Sequence, residues 1–298
     1  MASSRSRGMD VTGAARSSLV IPGLALGVVS VSFAAVFFVK AQPTDPLVAA
    51  GIRLSVAGGL LLPLIVRARM RGRLSTRTLR AGVLAGFFYA VHFGAWVASL
   101  GMTSIAASVT LVAATPLLLA LVALVTGRDR PSRRVWGAIG LAVIGLALLG
   151  SADLGSGAGK LLGDALALLG CAAMAGYLLL ARSQGKELDP LVFSGIACLV
   201  GAFLLLTTAL LLGIPVEAAS NEALLYLVLA ALVPQLVGHT LLTWSLRHTA
   251  PTVVGLAVTS EPVLATALGL VLIGSESLPG GLAATGCAIT VLAVVLAL

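Results

Sequence analysis

Glu261 is the one acidic residue near the middle of a long apolar run, 251–273. About ten residues of helix lie on either side, ~15 Å at 1.5 Å per residue. A carboxylate at that depth in a membrane costs a few kcal/mol unless it faces a wet cavity, pairs with a cation or takes up a proton. A carboxyl group that gains and loses a proton there is what proton-coupled movement across a membrane requires. The competing reading is a permanently protonated Glu bonded to a neighbouring helix. Two further sets of polar side chains lie within such apolar runs. Tyr89, His92 and Trp96 are spaced i, i+3 and i+7 and so share one helical face. Gln235, His239 and Thr243 repeat every fourth residue. Histidine titrates near neutral pH, and the aromatic neighbours suit an apolar or cationic solute; a packed, hydrogen-bonded histidine is the plainer alternative. Arg53 is the one cation well inside an apolar run, and it either snorkels to the interface or serves as a gate or counter-ion, with Glu261 as a conceivable partner. Ser30, Ser32 and Tyr177 are weaker candidates for the same cavity.

These residues need a membrane-embedded frame. With 59% hydrophobic and 10% charged residues over 298 positions, the chain falls outside the range of soluble globular proteins. Apolar runs of span length fall near 20–41, 46–66, 80–101, 104–126, 133–151, 160–182, 190–212, 222–245, 251–273 and 279–298. The expected fold is therefore all-α integral membrane, with ten transmembrane helices; the period-two patterning of a membrane barrel is lacking. A net charge of +8 would suggest nucleic acid as a partner in a soluble protein, but its placement excludes that. Arg67, Arg69, Arg71, Arg73, Arg77 and Arg80 fill the second connection, Arg128, Arg130, Arg133 and Arg134 the fourth, Arg182 and Lys186 the sixth, and Arg247 the eighth. The opposite side receives Lys40, Lys160 and most of the acids, so the positive-inside rule puts both termini in the cytoplasm of a cell-membrane protein. The cluster 67–80 also suits anionic lipid headgroups. Residues 1–19 read as a disordered basic segment, and Cys171, Cys198 and Cys287 as small core residues.

The chain is duplicated. Asp45-Pro46-Leu47-Val48 with Gly51-Ile52 returns 144 residues later as Asp189-Pro190-Leu191-Val192 with Gly195-Ile196. An offset of 146 pairs Thr115-Pro116 with Glu261-Pro262, Ser99-Leu100 with Ser245-Leu246, and Gly140 with Gly286. Two five-helix units, 20–151 and 160–298, follow. Because five is odd, the second enters the membrane from the opposite side, so the repeats are inverted, with Asp45 and Asp189 opening helices on opposite faces. Such units place a site between them near the midplane. Pro116 and Pro262 each lack an N–H and collide with the carbonyl four residues back, which frees the carbonyls of Val112 and Val258 and predicts symmetric helix breaks beside a central site. Gly137, Gly140 and Gly145 are expected to allow close helix approach. Three His without metal-ligand spacing, no mid-membrane Asp pair and no phosphate-binding loop leave no enzyme constellation, no metal and no cofactor expected.

The stretch from Trp96 through Ser108 to Thr115-Pro116-Leu117, and its partner from Trp244 through Pro251 to Glu261-Pro262-Val263, resemble the third/fourth and eighth/ninth helices of EamA-type members of the drug/metabolite transporter superfamily. Arg53 in Gly51-Ile52-Arg53-Leu54 resembles the Arg common in that family's second helix, and Gly274-Ser275-Glu276 its Leu-Gly-Glu turn, with Ser275 inserted; Gly127-Arg128-Asp129 lacks that Glu. The resemblance implies a central cavity ringed by the first, third, fourth, sixth, eighth and ninth helices, and export or exchange of small metabolites by alternating access. The expected function is thus a secondary transporter that exports a small organic metabolite or amino acid, with protons as coupling ion. Glu261, His92, Tyr89, Trp96, His239, Gln235, Arg53 and Thr115 are its pathway residues. A receptor or scaffold without flux, or a facilitative channel, is the alternative. The expected partners are a small-molecule solute, the lipid bilayer and protons.

Overall fold

The computed structural model describes residues 19–103, 105–128, 130–151, 158–185, 189–273 and 281–297, and among them there is no strand. The expectations for residues 1–18, Lys186 and the turn at Gly274-Ser275-Glu276 lie outside the described residues. Eight stretches are helical, long and apolar enough to cross a membrane. The first is α1 (Val20–Ser32) with α2 (Ala34–Lys40), followed by α3 (Pro46–Met70), α4 (Thr76–Leu100), and the pair α5 (Ile105–Val112) and α6 (Thr115–Thr126). The second half has α8 (Ala158–Ser183), α9 (Pro190–Leu211), then α10 (Asn221–Ala230) running through a π-helical stretch, Ala231–His239, into α11 (Thr240–Ser245), and last the pair α12 (Pro251–Val258) and α13 (Glu261–Leu272). Two more helices, α7 (Arg133–Ser151) and α14 (Gly281–Ala297), lie side by side after the fourth and eighth of these stretches.

Local chemistry sets the starts. Both Asp-Pro pairs open helices: Asp45 Oδ1 accepts from the Leu47 N–H at 2.9 Å, and Asp189 Oδ1 from Leu191 and Val192 at 3.1 and 3.3 Å. Pro46 and Pro190 occupy the first helical turn, where a missing N–H costs nothing. Ser75 and Ser220 cap α4 and α10 in the same way. The π-helical stretch has Pro234 inside it, which cannot donate to the carbonyl four residues back, and the wider winding accommodates that loss.

The core forms where small residues let helices touch. α3 runs along α9 and α4 along both α8 and α9, while α1 lies on the π-helical stretch and α11. A Cβ on Gly86 of α4 would lie 2.5 Å from the Val200 side chain and 3.0 Å from the Ala197 carbonyl, and one on Gly201 of α9 3.2 Å from the Gly86 carbonyl. Gly27 and Gly238 face each other similarly between α1 and the π-helical stretch. Gly145 meets Thr290 and the Gly286 carbonyl, but Gly137 and Gly140 have open space beside them, so the close approach expected of all three holds only for the one that turns toward α14. Large apolar side chains such as Met70, Val125, Leu161, Leu211 and Val271 are exposed, as suits a surface that meets lipid.

Two sets of hydrogen bonds fix the ends. Arg77 Nη2 donates to the Ser183 carbonyl and Arg182 Nη1 to the Leu246 carbonyl, so the connections after α3, α8 and α11 meet at one end. At the other end the Ala219 N–H donates to Thr44 Oγ1, joining the connections after α2 and α9.

Candidate functional site

The two proline positions are full interruptions. α5 stops at Val112 and α6 begins at Thr115; α12 stops at Val258 and α13 begins at Glu261. The chain's own hydroxyls take up several carbonyls at the breaks. Thr115 Oγ1 donates to the Val112 carbonyl at 2.7 Å, whereas in the second break Thr259 and Ser260 donate to Leu256 and Ala257, each at 2.7 Å. The Val112 carbonyl is therefore not free, contrary to expectation. Pro116 and Pro262 fall in the first turns of α6 and α13, so they start half-helices and do not bend continuous ones. Glu261 heads α13, where unpaired backbone N–H groups and the positive end of the helix dipole favour an anion.

Glu261, half-buried, faces a cavity walled also by His92, Phe93, Trp96, Thr115, Met174, Tyr177, His239, Thr243 and apolar side chains of α1, α2, α5 and α12. The room open to water-sized molecules is only about 40 Å³, enough for roughly three waters at 10–15 Å³ each. His92 Nδ1–H donates to the Gly170 carbonyl at 2.8 Å. A carbonyl only accepts, so that nitrogen carries a proton, and when the ring is neutral Nε2 is its acceptor. The Trp96 ring stacks on His92 at 6.1 Å and 10°, and its Nε1–H has no acceptor. The Tyr177 hydroxyl lies 2.9 Å from Thr243 Oγ1 and 3.3 Å from Ser194 Oγ.

Behind this wall lies a second, drier polar group. Tyr89, Gln235 and Arg53, expected along the pathway, are not among the residues that line the cavity. Tyr89 stacks on Tyr177 at 4.1 Å, and Gln235 Nε2 donates to Cys198 Sγ at 3.4 Å. Arg53 is fully buried and does not snorkel; its guanidinium lies 4.3 Å from the Phe93 ring centre and 5.5 Å from that of Phe38, and none of its nitrogens is hydrogen-bonded. No ion pair with Glu261 forms. Ser30 and Ser32 are not in the wall either, because their hydroxyls bond back to the Leu26 and Val28 carbonyls and leave Val31 and Ala34 to face the cavity. Phe93 and Met174 were not foreseen. Phe93 had a signal, since the 146-residue offset pairs it with His239, and the two rings meet edge to face at 5.4 Å. The same offset pairs Tyr89 with Gln235 and Thr115 with Glu261, so three pairs of equivalent positions run through the middle of the molecule.

The sequence pattern of the EamA-like transporter family matches residues 18–151 and again 161–298. The chain belongs to the EamA-like transporter family. Its members are membrane transporters, and the eight long apolar helices among the described residues fit a multi-pass membrane protein. A solved crystal structure superposes with a TM-score of 0.73 at 18% identity, over 94% of this chain and 97% of its own, a likeness of fold. No curated protein matches the chain.

Proposed function

We propose that this EamA-like protein is a secondary active transporter that exports a small organic metabolite or amino acid by alternating access, with Glu261 taking the coupling proton or contacting the solute. The observation that carries this is the half-buried Glu261 at the head of a half-helix, opening on an aromatic-walled cavity between the two repeats. In that cavity His92, Trp96, Thr115, Tyr177 and His239 supply the polar contacts.

The repeats are inverted and the helices number ten. Support comes from the packing: α3 pairs with its counterpart α9, α7 with α14, and α4 against α8 mirrors the π-helical stretch against α1. That is the pattern of a twofold axis relating the two halves. Asp45 caps its helix beside Thr44, at the end away from Ser183, and Asp189 caps its own shortly after Ser183 at the arginine-bearing end. The arginine-bearing end is cytoplasmic, together with both termini, in the cell membrane. The small volume now open means that a solute is admitted only when the half-helices move apart, and equivalent halves can open in turn to either side.

The experiment is made in proteoliposomes, with a solute identified by comparing metabolite export from cells with and without the protein. Solute movement accompanied by proton movement is expected. Glu261→Gln should uncouple or stop it; flux and proton movement unchanged in that variant would reject the role given to Glu261. Tight binding without flux would mark a receptor, and non-saturating flux a channel.

A further inference from the structure

We infer that the arginine-bearing end of α3 is a binding site for one anionic phospholipid, seated in the groove lined by Leu62, Pro63, Val66, Arg67, Met70 and Arg71. This stands independently of the proposed transport mechanism.

The residues 59, 62, 63, 66, 67, 70 and 71 follow the i, i+3, i+4, i+7 spacing of one helical face, and all are exposed. Toward the membrane centre that face is hollow. Nothing lies within 4 Å of a Cβ placed on Gly59, and Pro63 one turn on replaces a long side chain with a compact ring. The resulting open groove measures about 620 Å³ and is walled by Leu62, Pro63, Val66 and Met70, a surface that suits an acyl chain. Its other end carries Arg67 and Arg71, one turn apart. Among the described residues neither is hydrogen-bonded through its side chain to a protein acceptor or paired with an acid, whereas the neighbouring Arg77 is committed to the Ser183 carbonyl. Arg69 and Arg73 add to the local positive potential without competing acids nearby in sequence.

The juxtaposition matches an amphiphile with an apolar tail and an anionic head. The guanidinium fork binds phosphate oxygens in a bidentate manner, and two forks on one face can grip a single headgroup. A zwitterionic headgroup brings no net charge to that pair, so the site prefers phosphatidylglycerol or a similar anionic lipid to phosphatidylcholine. Free phosphate lacks the tail and leaves the groove empty.

Full-length protein is purified and lipid retention measured by native mass spectrometry, titrating dioleoyl-phosphatidylglycerol against dioleoyl-phosphatidylcholine. The expected result is one phosphatidylglycerol held in preference to phosphatidylcholine, resistant to inorganic phosphate, and its affinity reduced roughly 30-fold in Arg67→Gln/Arg71→Gln. The charge-matched control Arg130→Gln/Arg133→Gln, which alters the other exposed arginine cluster, should retain it. Both pairs lie on the surface, so both variants should fold, which unchanged thermal unfolding confirms. Equal retention of the two lipids, an equal loss in the control variant, displacement by phosphate, or a lipid-free dimer through this face would each overturn the inference.

Discussion

Replacing Arg53 with Met should stabilise the protein while impairing it. A guanidinium in the middle of a bundle costs about 3 kcal/mol on insertion scales, and here no hydrogen bond offsets that, since Nε, Nη1 and Nη2 are all without partners. The compensation visible in the structure is the contact with Phe93 at 4.3 Å, with Phe38 more distant at 5.5 Å. A desolvated cation–π contact of this kind contributes about 2 kcal/mol. Met is similar in length, needs no hydrogen bond and packs well against aromatic rings. The net expectation is a gain of about 1 kcal/mol, or roughly 1–2 °C in unfolding temperature for a chain of this size. Tryptophan fluorescence during heating, in one detergent and at one lipid content, would measure it. Solute flux by the same variant should fall at least tenfold if the charge is kept for function at the expense of stability. A drop of 5 °C or more would refute the reasoning, because Arg53 would then be a structural anchor with partners that form in solution; full activity with raised stability would remove its functional role.

Three other outcomes follow from named contacts. Gly86→Ala should lower stability by about 1–3 kcal/mol through overpacking against Val200, whereas Gly137→Ala, with open space beside it, should change it by less than about 1 kcal/mol in either direction; paired thermal unfolding tests both. Thr115→Val should cost about 1 kcal/mol by depriving the Val112 carbonyl of its hydroxyl donor, while Thr115→Ser should restore it. With single cysteines introduced at Gln42 and Gln184, an impermeant thiol reagent added to intact cells should label the first and spare the second; the reverse would invert the orientation given above.

The frame of this protein is legible in its sequence because the bilayer demands long apolar helices, and because Asp-Pro at 45–46 and 189–190 couples a cap to a first-turn proline. The half-helix starts at Thr115 and Glu261 are legible for the same reason, since proline removes the donor that a continuous helix needs. The depth of side chains around the helix axis is less so. Tyr89, His92 and Trp96 share a face by spacing, yet Tyr89 turns behind Phe93 to stack on Tyr177 while the other two meet the cavity. That division depends on where α8 packs against α4 and where His239 of the π-helical stretch meets the Phe93 ring, which periodicity within one helix does not encode. The serines of α1 read as cavity residues only if back-bonding to their own helix is overlooked. Gly137 and Gly140 show the same limit, because a small residue permits close approach but does not say which neighbour comes near.

The central claim, that one cavity is exposed alternately to the two sides, is tested most directly by counterflow. Proteoliposomes loaded with unlabelled solute are diluted into a trace of labelled solute, with no ion gradient, and internal label is followed over time. A carrier with a single alternating cavity should accumulate label transiently above the external concentration, at a rate that saturates with internal solute. Label that only equilibrates, at a rate proportional to concentration without limit, would contradict alternating access and leave a channel in its place.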